Sequence, residues 1–309
     1  MKPIRIAILG FGKIAADQHV PAIQGNDRFE LMATSSRSGH GVAQMFTDWR
    51  DLIRNVEGLQ AVAITSPPGP RFDMARECIA ACLHCLLEKP PTAGLAEIAD
   101  LGRLAQARRV TLFTTWHAQH HSTVDAAAEA LAGKRIRSME IHWHEDVHKW
   151  HPGQEWIWEP GGFGVFDPGI NALSIATKIF PGGLFVQSAE LKVPANAQTP
   201  IAVEIIFSSP EADGPLRASL DWRRSEGEEW TIAIEATDGT IVRLEEGGAR
   251  LILNGETQFD DGLGEYPDIY RTFADLIDER RSLVDVAPFR LVADCLLAGR
   301  TTRVEPVDS

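Results

Sequence analysis

Residues 4–15 read IRIAILGFGKIA, and this stretch decides how the chain ahead of residue 118 is read. Ile4 to Leu9 is a short apolar run of the kind found in a central parallel strand buried on both faces. It ends at Gly10, and Gly10-Phe11-Gly12-Lys13-Ile14-Ala15 is a GxGxxA turn opening a helix. Each position has a physical reason: Gly10 permits the tight turn, Gly12 lets the backbone approach a pyrophosphate, and Ala15 allows close helix-strand packing. The helix N-terminus adds oriented N–H groups for the anion, with Lys13 and Ile14 beside them as further cofactor-side candidates. A glycine-rich turn without a ligand is the plainer alternative, and the strand-turn-helix context weighs against it.

Working outward, strand-like runs at 29–35, 59–66, 84–87 and 110–115 alternate with helical patterns such as 71–81 and 95–107. This βα rhythm predicts a Rossmann-type, doubly wound parallel sheet over residues 1–117. Beyond Trp116 the rhythm changes. A helix at 123–132 precedes a strand at 137–145, then a Trp- and His-rich loop to about residue 160 and a helix from Pro168 to about Phe180. About six strand-like runs between 186 and 253, joined by turns such as TDGT and EEGG, suggest an antiparallel meander. Helices at 266–281 and 289–299 close the chain. Residues 118–309 are thus expected to form an α+β domain with a large, mainly antiparallel open sheet. Helices would cover a single face of it, leaving the other for a partner subunit in a homodimer.

The bulk figures fit this division. A chain of 309 residues, 44% hydrophobic and 24% charged, is ordinary for a two-domain globular protein. A formal net charge of −13 opposes binding to nucleic acid or anionic membrane, so an anionic cofactor must be held by local features. The opening residues lead into a short strand rather than a signal segment, which makes the cytoplasm the expected location. Cys78, Cys82, Cys85 and Cys295 read as reduced thiols. The CxxxCxxC spacing of the first three could hold an iron-sulfur cluster, but it lies in an apolar helix rather than an accessible glycine-rich loop.

At the end of the second strand, where an acid would accept from the ribose hydroxyls of NAD, the chain has Ser35-Ser36-Arg37. A hydroxyl and an arginine fork suit a 2′-phosphate and tilt the cofactor towards NADP, with NAD as the second choice. Ser66 and Pro67 follow the third strand, and Glu88-Lys89-Pro90-Pro91 follows the fourth. Ligands of open α/β sheets bind at the carboxyl ends of strands, so all of these fall on the cofactor side. There Lys89 could hydrogen-bond a substrate hydroxyl and favour its ionised form.

Together with GGFGVFDPGIN at 161–171, these motifs resemble the glucose-fructose oxidoreductase, inositol dehydrogenase and rhizopine-catabolism family over nearly the whole chain. The resemblance implies an NAD(P)-dependent oxidoreductase working without a metal. It leans towards oxidation of the anomeric carbon of an aldopyranose, of the L-arabinose or D-galactose type, to the aldonolactone. It also implies catalytic roles for Lys89 and Asp167. The family's usual histidine four residues after the aspartate is Asn171 here. An amide cannot accept a proton, so the base is Asp167 or Lys89, with Asn171 orienting the substrate. As the N-cap before Pro168, Asp167 could alternatively serve only to satisfy helix N–H groups.

The segment MEIHWHEDVHKWHPGQEWIW at 139–158 holds four histidines and four tryptophans. Sugars need flat apolar faces for their C–H surfaces and several hydrogen-bonding groups. Glu145, His148, Trp150 and His151 are therefore substrate-side candidates, with His117, His120, Asn171 and Trp222. A zinc site is the competing reading for His142 and His144, two apart on a strand, although no cysteine joins them. A cyclitol dehydrogenase of the same family or a non-catalytic nucleotide sensor would share most of these motifs.

Overall fold

A computed structural model describes residues 2–307. In the first unit, β1 (Ile4–Leu9) leads through the glycine turn into a π-helical turn at Ala15–His19 and α1 (Val20–Gln24). There follow β2 (Phe29–Ser35), β3 (Gln44–Phe46), α2 (Trp49–Asn55), β4 (Ala61–Ile64), α3 (Pro68–Ala80), β5 (His84–Leu87), α4 (Leu95–Arg108) and β6 (Leu112–Thr114). All six strands run parallel in the order β3-β2-β1-β4-β5-β6, the doubly wound arrangement. β1 and β4 are apolar because helices cover both faces of the sheet. The short β3 and α2 go beyond the sequence reading. Asp48 caps α2, its carboxylate accepting from Arg50 N at 2.8 Å.

The second unit opens with α5 (Ser122–Leu131), β7 (Ile136–His144), α6 (Val147–Trp150) and α7 (Phe166–Ile179). It continues through β8 (Phe185–Pro194), β9 (Ala202–Ser208), β10 (Leu216–Asp221), β11 (Glu229–Ala236), β12 (Ile241–Glu245), β13 (Arg250–Leu253) and β14 (Glu256–Phe259). After α8 (Glu265–Asp278) come α9 (Ala287–Ala298) and β15 (Arg300–Val304).

The nine strands are ordered β14-β13-β12-β11-β7-β10-β9-β8-β15, which corrects the simple meander. β7 lies between β10 and β11, parallel to one and antiparallel to the other, and β15 is parallel to β8. His144, at the end of β7, pairs with both Asp221 and Glu229, so residues 222–228 cross over that end. Alternation within a strand says which residues share a face, not which strand lies beside it.

Helices pack on one face of this sheet. Gly169 of α7 lies so close to Leu220 of β10 that a Cβ would come within 2.6 Å of its side chain. The other face carries Glu204, Ser219, His142 and Glu229, with Ile206 and Ile241 exposed among the polar groups.

A second correction concerns where the domains divide. Residues up to His117 pack with Leu263–Asp285, while Ala118–Gly262 packs with the chain from Val286 onward. The expected second domain of 118–309 therefore gives α8 back to the first unit. The reason lies in one face of that helix: Tyr266, Ile269, Tyr270, Phe273 and Ala274 are buried with Ile6, Ile8, Phe29 and Phe113. All four cysteines are free thiols; Cys78, Cys85 and Cys295 are buried and Cys82 is exposed. Among the described residues no helix is long and apolar enough to cross a membrane.

Phe273 is fully buried and stacks on Phe29 and Phe113, with ring centroids 6.0 and 6.2 Å away. Phe273→Ala is expected to cost about 3–5 kcal/mol, the range for emptying such a site. Urea denaturation monitored in the first unit measures it. A loss below about 1 kcal/mol would mean that α8 is not integral to that core.

Candidate active site

In the first unit the glycine turn and the ends of β2 and β4 enclose a cavity of about 570 Å³ lined by Gly10, Gly12, Ser36, Arg37, Ser66 and Pro67, with Trp49 and Met74 on its wall. Gly10 has φ of 96°, and a Cβ there would sit 2.6 Å from the Ser66 nitrogen, so only glycine admits this approach of the two loops. Gly12, by contrast, has nothing within 4 Å of where a Cβ would be, leaving its backbone open to a ligand. Ser66 Oγ is buried with no hydrogen-bond partner among the described residues, a hydroxyl that a bound group could satisfy. Arg37 is exposed at the rim, and among the described residues no carboxylate lines the cavity. These features fit a dinucleotide. Lys13 is turned outward into an ion pair with Asp17, and Ile14 is exposed at the start of the π turn.

Glu88 has a different place from the one its motif suggested. Its carboxylate is buried inside the unit, where Oε1 accepts from His19 Nε2 at 3.0 Å and from the Tyr266 hydroxyl at 2.9 Å. Oε2 accepts from the Lys89 backbone N–H at 2.9 Å. Glu88 thus holds the residue that carries the candidate lysine, whose side chain is partly exposed. Buried Arg71 on α3 ties the same corner together, donating to the carbonyls of Ser66, Glu88 and Pro90. His117 meets Glu265 at 3.0 Å and stacks on Tyr266 with centroids 5.9 Å apart. Burial alone would lower the His117 pKa, but the Glu265 charge and hydrogen bond, with Glu88 behind, raise it.

In the second unit Asp167 and His151 come together, with Asp167 Oδ2 3.6 Å from His151 Nε2. Helix α7 begins at Phe166, which corrects the expected start at Pro168. Asp167 is therefore inside the first turn, and Val165 stands at the cap position. One turn on, Asn171 Oδ1 is buried with no partner among the described residues.

The His151 ring lies 5.0 Å from that of Trp222, and Trp158 packs edge-on to Trp222 at 5.5 Å. Trp222 is fully buried and donates from Nε1 to Glu145 Oε1 at 2.9 Å; Trp230 donates to Glu145 Oε2 at 2.9 Å. Glu145 is itself buried, so the pair expected at the substrate surface lies beneath it and fixes the indoles. Trp150 is 46% exposed, its indole N–H on Glu228 at 2.5 Å and its ring edge-on to Trp230. His148 is exposed and faces a separate cavity of about 350 Å³ beside residues 304–307. His120 ends a short 3₁₀ turn at His117–His120, partly exposed.

Sequence reasoning missed His19, Arg71, Trp158, Trp230, Glu265 and Tyr266 as parts of these clusters. Trp158 stood in the quoted segment and could have been included. The others lie at sequence separations that no motif spans.

The fold and the crevice are those of a Rossmann-type dinucleotide-binding unit. The GFO/IDH/MocA sequence profile, an oxidoreductase family with an NAD-binding Rossmann fold, matches residues 4–116. The chain is 44% identical over 307 residues to galactose 1-dehydrogenase of Pseudomonas fluorescens, covering 99% of both proteins. It therefore belongs to this family. The crystal structure of a D-galactose-1-dehydrogenase from Rhizobium etli superposes with a TM-score of 0.94 at 42% identity, covering 100% of this chain and 99% of that one. A 3-ketoreductase from Actinomadura kijaniata, solved with NADP and TDP-benzene, shares the fold alone, with a TM-score of 0.78 and 15% identity over 98% of this chain and 99% of that one.

The Glu88 cluster makes a pH prediction. Burial would raise the Glu88 carboxyl, but the hydrogen bonds and electrostatic pull of His19, with His117 and the Tyr266 hydroxyl, outweigh it and hold it at about 2. A depressed carboxyl stabilises the fold above its ordinary value of 4.5, and that stability is lost as pH falls from there through about 2. Glu88→Gln should cost about 3 kcal/mol at neutral pH and remove that part of the acid-induced loss. Urea midpoints measured from neutral pH downward check both. An unchanged acid limb in the variant would remove Glu88 from the account.

Proposed function

We propose that this oxidoreductase is an NADP-preferring aldose 1-dehydrogenase. It would oxidise the anomeric carbon of a pyranose of the D-galactose or L-arabinose type to the aldonolactone. The observation that carries this reading is the Asp167 cluster: a buried carboxylate in the first turn of α7, beside His151, with an unpartnered amide oxygen on Asn171 and an aromatic wall. The galactose 1-dehydrogenase activity in the name of the Pseudomonas relative supports the same substrate class.

The nicotinamide, when bound, takes up the hydride. Asp167 accepts the hydroxyl proton, and His151 keeps its carboxylate oriented. Asn171 hydrogen-bonds a hydroxyl of the sugar, and Lys89 favours the ionised form of the reacting one. The exposed face of Trp150 suits a sugar ring, with His117, His120, His148 and His151 as candidate partners for hydroxyls. Glu145 and Trp222 act by holding that wall in place. NADP preference rests on Ser36 and Arg37 and on a crevice with no acid among its described lining residues. For the uncovered sheet face we infer a second copy of the chain, because Ile206 and Ile241 are exposed there on a face without helices.

A panel of aldoses and cyclitols, with reduced cofactor followed by absorbance, should show D-galactose and L-arabinose both oxidised. They share one hydroxyl arrangement and differ by an exocyclic hydroxymethyl, whereas an epimer leaves buried polar groups unpaired. Asp167→Asn should lower turnover on the accepted sugar roughly a hundred- to ten-thousand-fold with cofactor affinity kept. A cyclitol oxidised faster than any aldose, or a nearly fully active Asp167→Asn, contradicts the reading. For the cofactor, Arg37→Ala should weaken NADP by about 1.5–3 kcal/mol and leave NAD nearly unchanged. Fluorescence titration of the two reduced cofactors checks this, and equal losses would remove Arg37 from phosphate recognition.

A further inference from the structure

On the helix-free face of the large sheet, away from both clusters just described, a different set of ligating side chains converges. His142 and His144 stand two apart on β7, so their rings leave the same side of the strand, with centroids 5.4 Å apart. Glu229 of β11 is the direct cross-strand neighbour of His144. One donor atom from each of the three lies within 4.8 Å of the others. We propose that His142, His144 and Glu229 form a site for a divalent transition-metal cation of the zinc type, apart from the dehydrogenase chemistry.

The donor set is the first support. Two imidazoles and a carboxylate are zinc ligands of intermediate hardness, and three protein ligands leave a fourth position for water. With zinc-nitrogen bonds of about 2.0–2.1 Å, tetrahedral ligands sit roughly 3.3 Å apart, so the trio needs to close by at most about 1.5 Å, which side-chain rotation on paired strands can supply. His-x-His on a strand needs no change of backbone to do this.

The surroundings of His144 are the second support. Exposed Arg224 donates to His144 Nδ1 at 3.1 Å, which requires that nitrogen to present a lone pair. His144 Nε2 then donates to Ser219 Oγ at 3.0 Å, and the Ser219 hydroxyl donates to Glu204 at 2.8 Å. The ring is thus held as the neutral tautomer with Nδ1 facing a cation, the outer-shell arrangement that orients metal-binding histidines. The cation now facing it is a guanidinium on a long side chain, which a metal ion would displace from Nδ1. Glu204 and Glu229 keep negative charge close by, whereas Asp221 on the same face is already taken by Arg223.

The test is calorimetric titration of the chelator-stripped full-length protein with zinc chloride at neutral pH, in the assembly state it adopts in solution. One zinc per chain should bind with micromolar affinity. His142→Ala and His144→Ala should each weaken it by about tenfold or more, and Glu229→Gln by less. Arg224→Gln removes the competitor and should tighten binding several-fold. Since Arg224 is exposed, this variant keeps the test valid should a histidine variant fold poorly, which thermal melts would reveal. Absence of saturable binding, binding insensitive to both histidines, or weaker binding in Arg224→Gln overturns the proposal.

Discussion

A single buried carboxylate organises the first unit. Glu88 stands at the end of β5 and accepts from His19, just beyond the glycine turn, and from Tyr266, on a helix that arrives from far along the chain. An ionised carboxylate placed without partners in such a core would cost several kcal/mol, so its position requires all of them. The His19 ring is closed off by the Tyr270 hydroxyl at 2.7 Å on its other nitrogen. The glycine turn, the strand end carrying Lys89 and the returning helix α8 are thereby held in one geometry, and Arg71 fastens the neighbouring loop carbonyls to it.

The second unit solves a similar problem with a carboxylate of a different kind. Glu145 holds two indoles through both of its oxygens, so Trp222 and Trp230 have set positions against which His151 and Trp150 pack. Asp167 sits in the first turn of a helix, where His151 meets it. Rigid support beneath, and adaptable polar groups above, is what a pocket for a small polyhydroxylated molecule needs.

The two faces of the large sheet divide the labour. One face is packed by helices, with Gly169 of α7 brought against the Leu220 side chain. The other is a mixed surface of carboxylates, histidines and single exposed apolar residues, which leaves it available for association and for ligating groups to gather across strands.

What the amino-acid sequence by itself determined is whatever depends on short-range spacing. The apolar run at 4–9 and GxGxxA declare a strand, a turn and a nucleotide-facing loop, because each glycine answers a local steric demand. The alternation that follows declares a parallel sheet. Tertiary structure alone decided what depends on distant partners. Phe273 and Tyr266 read as one face of an amphipathic helix, but a hydrophobic face does not say which core will bury it. Glu88 looked like a crevice residue because its motif says nothing of His19. His142 and His144 lacked a third ligand until β11 paired with β7. Strand alternation fixes the face a side chain takes, while the neighbour across that face is set by how the whole sheet closes.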